Sequence, residues 1–232
     1  MKKTLGIIGG MGPLATADLF RKIVEQTEAA CDQDHIHILI DNNTNIPDRT
    51  AALLSGGESP VPELRKSAGR LIAMGAEGLM MPCNTAHCFH GDVQAVSEVP
   101  VLHMIELTRE ALEQRGVTCA GLLATNGTIQ TGVYQKHFGD IRLLTPGPED
   151  QAAVMDMIYG GVKAGVMDYD ASRVQAAAER LLDQGAQTII LGCTELPLAV
   201  ELYRLRFPST DPTMELAKGA IRFAGGRVKG EA

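Results

Sequence analysis

The sequence contains no apolar run close to the ~18–20 residues that a membrane-spanning helix requires. It also lacks an excess of positive charge, with a net charge of −7 and a pI near 5.4. Such a chain offers no basic face to a polyanion, which argues against nucleic acid as a main partner. No Pro/Gly/Ser-rich linker or low-complexity tract divides it, so any lobes join through tight connections. No small-residue cleavage site follows the N-terminus, where the strand-like segment Thr4-Leu5-Gly6-Ile7-Ile8 begins almost at once, so a signal peptide is not expected. The five cysteines are an odd number, and a chain of 232 residues can bury a core without disulfide staples. The expectation is a soluble cytoplasmic protein with reduced thiols. What is present is ordinary for a globular chain: 45% apolar and 21% charged residues, over a length that suits one large domain or two small lobes.

Apolar runs alternate with helical patterns. Leu5 to Gly9 reads as a strand, Leu14 to about Ala30 as a helix, and Ile36 to Ile40 as a second strand. Leu64 to Met74 is helix-like and Gly78 to Met81 strand-like. The pattern then restarts: strand at Ala120 to Leu123, short helix at Gln130 to His137, strand at Ile141 to Leu144. Helices follow at Gln151 to Val166 and Ala171 to Gln184, then a strand at Thr188 to Leu191. Short unalternating apolar runs between helices indicate parallel sheets covered on both faces.

The restart is also a repeat of residues. The segment Arg70 to Cys83 can be laid over Arg180 to Cys193 at a constant offset of 110, with Arg, Leu, Gly, Ala and Cys coinciding at five of fourteen positions. Upstream, Gly6-Ile7-Ile8-Gly9-Gly10 matches Gly121-Leu122-Leu123-Ala124-Thr125 more weakly, at an offset of 115. The expected architecture is α/β, with two pseudo-symmetric lobes, each a mainly parallel sheet flanked by helices, and an active site in the cleft between them. The expected division is 1–105 and 106–208, with 209–232 packing back on the first lobe.

Ligands of open parallel sheets bind beyond the carboxyl ends of the strands. Cys83 and Cys193 both fall there, followed by Asn84-Thr85 and Thr194-Glu195. Two lobes facing each other would bring the cysteines to one carbon from opposite sides, which is what stereoinversion requires. A thiol pKa near ~8.5 lets one group be thiolate while the other keeps its proton. Cys31, Cys88 and Cys119 have neither a repeat partner nor a polar flank and read as small buried hydrophobes.

Other motifs admit more than one reading. Cys83, His87, Cys88 and His90 have ligand types suited to zinc, but no second ligand pair appears near Cys193, so no metal is expected. His87 reads as a polar or packing residue in the first turn of the following helix. Gly10-Met11-Gly12-Pro13-Leu14-Ala15 fits the G-x-G-x-x-G/A loop of dinucleotide-binding proteins, with Asp41 ending the next strand. An NAD-binding Rossmann protein is therefore the rival from a different class, though it leaves the duplicated cysteine segment unexplained. Arg49 carries a planar fork suited to a carboxylate, and Lys163 could supply a second cation, although the pattern alone favours a solvated surface charge for each. Thr125 and Thr128 offer hydroxyls after a strand, or cap the next helix.

Taken together, four segments resemble the aspartate racemase family of the cofactor-independent aspartate/glutamate racemase superfamily. They are Gly9 to Thr16, Ile46 to Thr50, Pro82 to His87 and Leu191 to Leu196, each at the end of a predicted strand. The resemblance implies a two-lobed homodimeric enzyme without cofactor, interconverting L- and D-aspartate with Cys83 and Cys193 as catalytic residues. It implies that Arg49 and Lys163 contact the side-chain carboxylate. It also implies that Met11, Gly12, Asn84, Thr85, Thr125, Thr128 and Thr194 hold the α-carboxylate and α-amino group. Glutamate racemases usually continue the second cysteine motif with histidine, where this chain has Glu195, which favours the aspartate branch. Racemases of glutamate or of a broader amino-acid range are the nearer alternatives. Superfamily isomerases or decarboxylases of a dicarboxylate such as maleate are further ones, against which the Arg49 and Lys163 matches weigh.

Overall fold

The computed structural model describes residues 2–231. Its chain divides into two compact units, one running up to Leu107 and resuming at Thr213, the other spanning Thr108–Pro212. The first holds β1 (Leu5–Gly9), α1 (Pro13–Gln26), β2 (Ile38–Asn42), α2 (Arg49–Leu54) and α3 (Val61–Ala73). It continues through β3 (Gly78–Met80), α4 (His90–Gln94) and β4 (Val101–Leu102), and α5 (Met104–Gln114) carries the chain across the boundary. The second unit holds β5 (Cys119–Ala124), α6 (Asn126–Gln130), β6 (Arg142–Leu144) and α7 (Pro148–Asp156). It ends with α8 (Ser172–Asp183), β7 (Ile189–Gly192), α9 (Glu195–Leu202) and β8 (Ser209–Thr210), before α10 (Pro212–Phe223) returns to the first unit.

Each unit is a four-stranded, all-parallel sheet, and the strand orders correspond: β2-β1-β3-β4 and β6-β5-β7-β8. Every residue of β1 and β5 is buried, as parallel strands covered on both faces must be. In the first sheet, Leu5 and Ile7 pack on Leu19 and Ile23 of α1 and Leu216 and Ile221 of α10. Ile8, on the opposite face, packs on Leu64, Ala68 and Leu71 of α3. In the second, Leu123, Ile189 and Leu191 pack on Val154 of α7 and on Val174 and Leu181 of α8.

The two sequence offsets meet in the strand register. Gly6 lies opposite Leu79 and Gly121 opposite Ile189, so one pairing satisfies both the 115 and the 110 alignments. A Cβ on Gly6 would stand 2.7 Å from Leu79 Cδ2 and 3.1 Å from Leu71 Cβ; on Gly121 it would stand 2.6 Å from Ile189 Cδ1 and 3.1 Å from Leu181 Cδ1. The repeated glycine therefore lets the same helix lean on the same strand in both units. The preceding turn is also copied. Gly75 and Gly185 have φ of +100° and +101°, and the next amides, Ala76 and Ala186, donate back to the carbonyls of Leu71 and Leu181 at 3.0 and 3.1 Å. One residue on, Glu77 and Gln187 accept from the backbone N–H groups of Thr4 and Cys119, fixing the start of each central strand.

Several sequence-derived boundaries change. The helix expected at Gln130 to His137 lies earlier, at Asn126–Gln130, because Thr125 Oγ1 accepts from the Thr128 amide and starts it immediately after β5. Gly132, with φ +63°, follows that helix, and turns occupy the remaining expected positions. The expected Gln151 to Val166 helix is α-helical only to Asp156 and continues as a π-helix over Met157–Lys163. Within it Gly161 lies under two aromatic side chains, so that a Cβ would meet Tyr203 Oη at 3.0 Å. The return to the first unit starts at Thr213 rather than 209, because Ser209–Thr210 pairs with β7 in the second sheet.

Adding a methyl at either repeated glycine overpacks the helix–strand contact, so Gly6→Ala and Gly121→Ala each destabilise by about 1–3 kcal/mol. Gly69→Ala, at an exposed helical position with open space around it, stabilises by about 0.5–1 kcal/mol. Thermal melts of the three variants check this, and equal shifts at all three sites would refute the shared packing role.

Candidate active site

In both units the candidate residues, Lys163 apart, lie past the carboxyl ends of the strands. In the first, the loop after β1 is closed on itself. Gly10 N–H donates to Thr16 Oγ1 at 2.9 Å, and Thr16 Oγ1 donates to the Gly12 carbonyl at 3.0 Å. A Cβ on Gly10 would fall 2.3 Å from the Asn43 carbonyl oxygen and one on Gly9 2.4 Å from Thr16 Cγ2, so these glycines are required by packing. The Met11–Gly12 peptide is cis. Asp41, the acidic residue that a ribose would need, pairs with Arg70 at 2.9 Å. These contacts account for the glycine loop without a dinucleotide.

Arg49 opens α2 behind Asp48, whose carboxylate accepts from the Ala51 amide at 2.7 Å and caps the helix. Its guanidinium donates to the carbonyls of Ile46 and Pro47 at 3.3 and 3.0 Å and to that of Met11 at 3.1 Å. Arg49 thus ties the loop after β2 to the loop after β1. Met11 shares a buried cluster with Ile46, Cys83 and Ala86, which brings the ends of β1, β2 and β3 together.

Cys83 follows β3 and is 6% exposed, with Asn84 and Thr85 also buried. Thr85–Phe89 forms a 3₁₀ turn that carries His87 back beneath the cysteine. His87 Nδ1 lies 2.9 Å from the Cys83 carbonyl, and its Nε2 accepts from the Met104 amide at 3.0 Å. Because a backbone N–H only donates, Nε2 is the unprotonated nitrogen and Nδ1–H is the donor to Cys83. Burial, with His103 and His90 nearby, lowers the His87 pKa to about 3. That shift favours a neutral ring at physiological pH.

The second unit has a different chemistry at the matched place. Cys193, 7% exposed after β7, donates its S–H to Glu195 Oε2 at 2.9 Å. Thr194 Oγ1 donates to the same oxygen at 3.3 Å, while Lys163 Nζ pairs with Oε1 at 2.6 Å. Glu195 occupies the first turn of α9, where the helix dipole favours a negative charge. Lys163 reaches it from the end of the π-helix. Burial, and next the Glu195 charge, raise the Cys193 thiol well above its ordinary range, with Lys163 opposing in part. The result is a protonated thiol aimed at a carboxylate.

Thr125 and Thr128 lie at the end of β5 with their hydroxyls 3.2 Å apart, and the register Ala124–Gly192 makes Thr125 and Cys193 leave the sheet side by side. Gln151 Nε2 fixes this loop through the Ala124 carbonyl and Asn126 Oδ1, both at 2.9 Å. Within the first unit the structure therefore gathers Met11, Gly12, Arg49, Cys83, Asn84 and Thr85, and within the second Thr125, Thr128, Lys163, Cys193 and Thr194. Sequence reasoning missed what Glu195 and His87 touch. Glu195 was legible as a polar flank of Cys193 and as a departure from the glutamate racemase pattern, and His87 carries no periodic signal. The pairing of Lys163 with Glu195 had no sequence signature, since 32 residues separate them.

No helix among the described residues is long and apolar enough to cross a membrane. The Asp/Glu/hydantoin racemase family profile matches residues 8–220. The solved aspartate racemase of Picrophilus torridus is 33% identical, with a TM-score of 0.83 over 98% of this chain and 96% of that one. A broad-specificity amino-acid racemase of Bacillus subtilis is 26% identical over 231 residues, 94% of this chain and 96% of its own. The glutamate racemase of Francisella tularensis, solved with D-glutamate, shares the fold at a TM-score of 0.71 and 16% identity, over 95% of this chain and 80% of that one. With its paired parallel sheets and a cysteine past the same strand of each, this chain belongs to the Asp/Glu/hydantoin racemase family, as an amino-acid racemase.

Proposed function

We propose that the enzyme interconverts L- and D-aspartate without cofactor or metal, as a homodimer, by two-base proton transfer between Cys83 and Cys193. The observation that carries this reading is the Cys193 S–H donated to Glu195 at 2.9 Å, in a buried setting that keeps the thiol protonated. Cys193 thereby begins a cycle as an acid. Cys83, at the corresponding position past β3, begins as the thiolate that takes the α-proton. Stereoinversion follows when the α-proton moves to the Cys83 sulfur and the Cys193 proton moves to the opposite face of the carbanion. Glu195 holds the Cys193 proton in line beforehand; in the reverse direction the Cys193 thiolate takes the α-proton while the Cys83 thiol protonates the opposite face. The hydroxyls of Thr85, Thr125, Thr128 and Thr194, the Asn84 amide and the Met11–Gly12 backbone stabilise the charge that develops at the α-carboxylate. Arg49 and Lys163 take the distal carboxylate and orient the Cα–H bond.

One observation favours a second reading, a broader amino-acid range. Lys163 already has a carboxylate partner in Glu195 at 2.6 Å, and Arg49 bonds backbone carbonyls. A substrate lacking a distal carboxylate then leaves no cation stranded, and the full-length similarity to a broad-specificity racemase agrees with this. A panel of aspartate, glutamate, alanine and maleate separates the readings.

Incubation of L-aspartate in D2O should erase the α-proton NMR signal while chiral chromatography shows D-aspartate appearing; an unchanged signal under reducing conditions removes aspartate as substrate. Cys83→Ser and Cys193→Ser should each lower racemisation by about 10³-fold or more with melting temperature preserved, as loss of an acid/base group allows, and near-normal activity in either overturns the two-base assignment. Arg49→Ala should lower kcat/KM for aspartate far more than for alanine, and equal losses would remove its specificity role. Because burial, and next the Glu195 charge, raise the Cys193 thiol well above its ordinary range, the alkaline limb of the rate profile should lie above that range. Glu195→Gln removes the charge and should move the limb to lower pH; a limb that stays in place would exclude Glu195 as its cause.

A further inference from the structure

Two histidines that follow Cys83 clasp the backbone at the start of α5. His87 bridges the Cys83 carbonyl and the Met104 amide, and His90 Nε2 lies 2.8 Å from the Val101 carbonyl. The rings pack together with His103, whose centroid is 4.9 Å from that of His87 and 4.5 Å from that of His90. The four residues from Val101 to Met104 are thereby fastened, by side chains rather than by sheet pairing alone, to the turn that begins at Cys83. At Cys193 the second copy of the repeat has Glu195 two residues on, and the following amide, Leu196 N–H, bonds directly to the Cys193 carbonyl at 2.9 Å. The first unit therefore holds its cysteine with a neutral side-chain bridge and the second with the helix that follows.

Resting on the two-base reading above, we infer that His87 is the positioning residue for Cys83. It fixes the carbonyl of the cysteine itself, through an Nδ1–H that the Met104 amide forces to be the protonated nitrogen. A peptide plane held at its carbonyl limits rotation about the Cys83 backbone and so the direction in which Cβ–Sγ points. His87 does not exchange protons with substrate; it acts through Cys83. Its removal should affect the Cys83 face of the reaction more than the Cys193 face.

Equal kcat/KM for the two enantiomers is imposed by their equal free energies, so the asymmetry has to be read from isotope exchange. In D2O, the enantiomer deprotonated by Cys193 gives a carbanion that normally takes a deuteron from Cys83 on the opposite face. When Cys83 is misplaced, the carbanion takes a deuteron back from the solvent-exchanged Cys193 thiol, giving exchange with retention. The experiment is the ratio of α-proton loss, by NMR, to inversion, by chiral chromatography, from each aspartate enantiomer, or from the substrate the panel identifies. His87→Gln places a carbonyl near Met104 N–H but loses the donor to Cys83, whereas His87→Asn keeps an N–H where Nδ1 stood. His87→Gln should raise the ratio from one enantiomer only by about 10–100-fold, the scale expected of a misplaced reacting group, and His87→Asn should restore it towards wild type. Proportionate loss from both enantiomers, or equal behaviour of the two variants, would overturn the positioning role.

Cys83→Ser, measured alongside, separates this inference from the reading beneath it. Full racemisation by that variant defeats the two-base assignment itself. An asymmetric ratio in Cys83→Ser with a normal one in His87→Gln defeats only the role of His87. A measurement on the unaltered enzyme needs no variant to fold: ¹⁵N NMR of the histidine rings should show His87 as the neutral Nδ1–H form from pH 5 to 8. The Nε2–H form, or titration of the ring in that range, would refute the bridge.

Discussion

The close approach of α3 to β1, and of α8 to β5, is the constraint from which the remainder of each unit follows. At both places a glycine in the central strand lets a leucine of the helix and the side chain of the neighbouring strand meet across the position where a Cβ would stand. With the helix seated there, the positive-φ glycine turns the chain directly into β3 or β7, and the register delivers a cysteine just past the end of the strand. The buried ends of the strands, where backbone groups no longer pair with a neighbour, are the natural place for polar loops. Both units use that place in the same way.

The duplication sets where the two thiols stand but not what surrounds them. Past β3 the chain runs Cys83-Asn84-Thr85, and the support for the cysteine is a neutral imidazole bridging two backbone groups. Past β7 it runs Cys193-Thr194-Glu195, and the thiol donates a hydrogen bond to Glu195, whose other oxygen pairs with Lys163. A carboxylate at hydrogen-bond distance favours the protonated form of a buried thiol, whereas a neutral bridge adds no such bias. Two similar residues on similar scaffolds thus stand in different electrostatic surroundings, with a carboxylate facing Cys193 and a neutral ring beneath Cys83.

The charges gathered around the candidate site are also used to hold loops. Arg49 donates to three carbonyls on the loops after β1 and β2, Lys163 bonds the carboxylate beside Cys193, and Asp41 is taken by Arg70. A guanidinium with five donors can hold loop carbonyls and still present an edge, which an ammonium paired at 2.6 Å does less readily. Under the proposed aspartate reading, Arg49 and Lys163 would therefore be unequal as contacts for a distal carboxylate.

Parallel strands, helices on both faces and the duplicated unit were all legible in the sequence, because full burial leaves unbroken apolar runs and a shared packing geometry keeps Gly6, Gly121, Leu71 and Leu181 in place. Cys83 and Cys193 were legible for the same reason: their distance from the repeated turn is fixed by strand length, which is local. Only the tertiary structure decided the two-residue strands β4 and β8, whose pairing comes entirely from β3 and β7. It likewise decided the π-helical end that brings Lys163 to Glu195 and the Nδ1–H form of His87. Each of these depends on groups that meet through space across tens of residues, or, for His87, on a backbone donor that exists at that spot only once α5 has formed. Residue spacing encodes what the backbone repeats; partners for isolated polar side chains are set by where the finished chain places them.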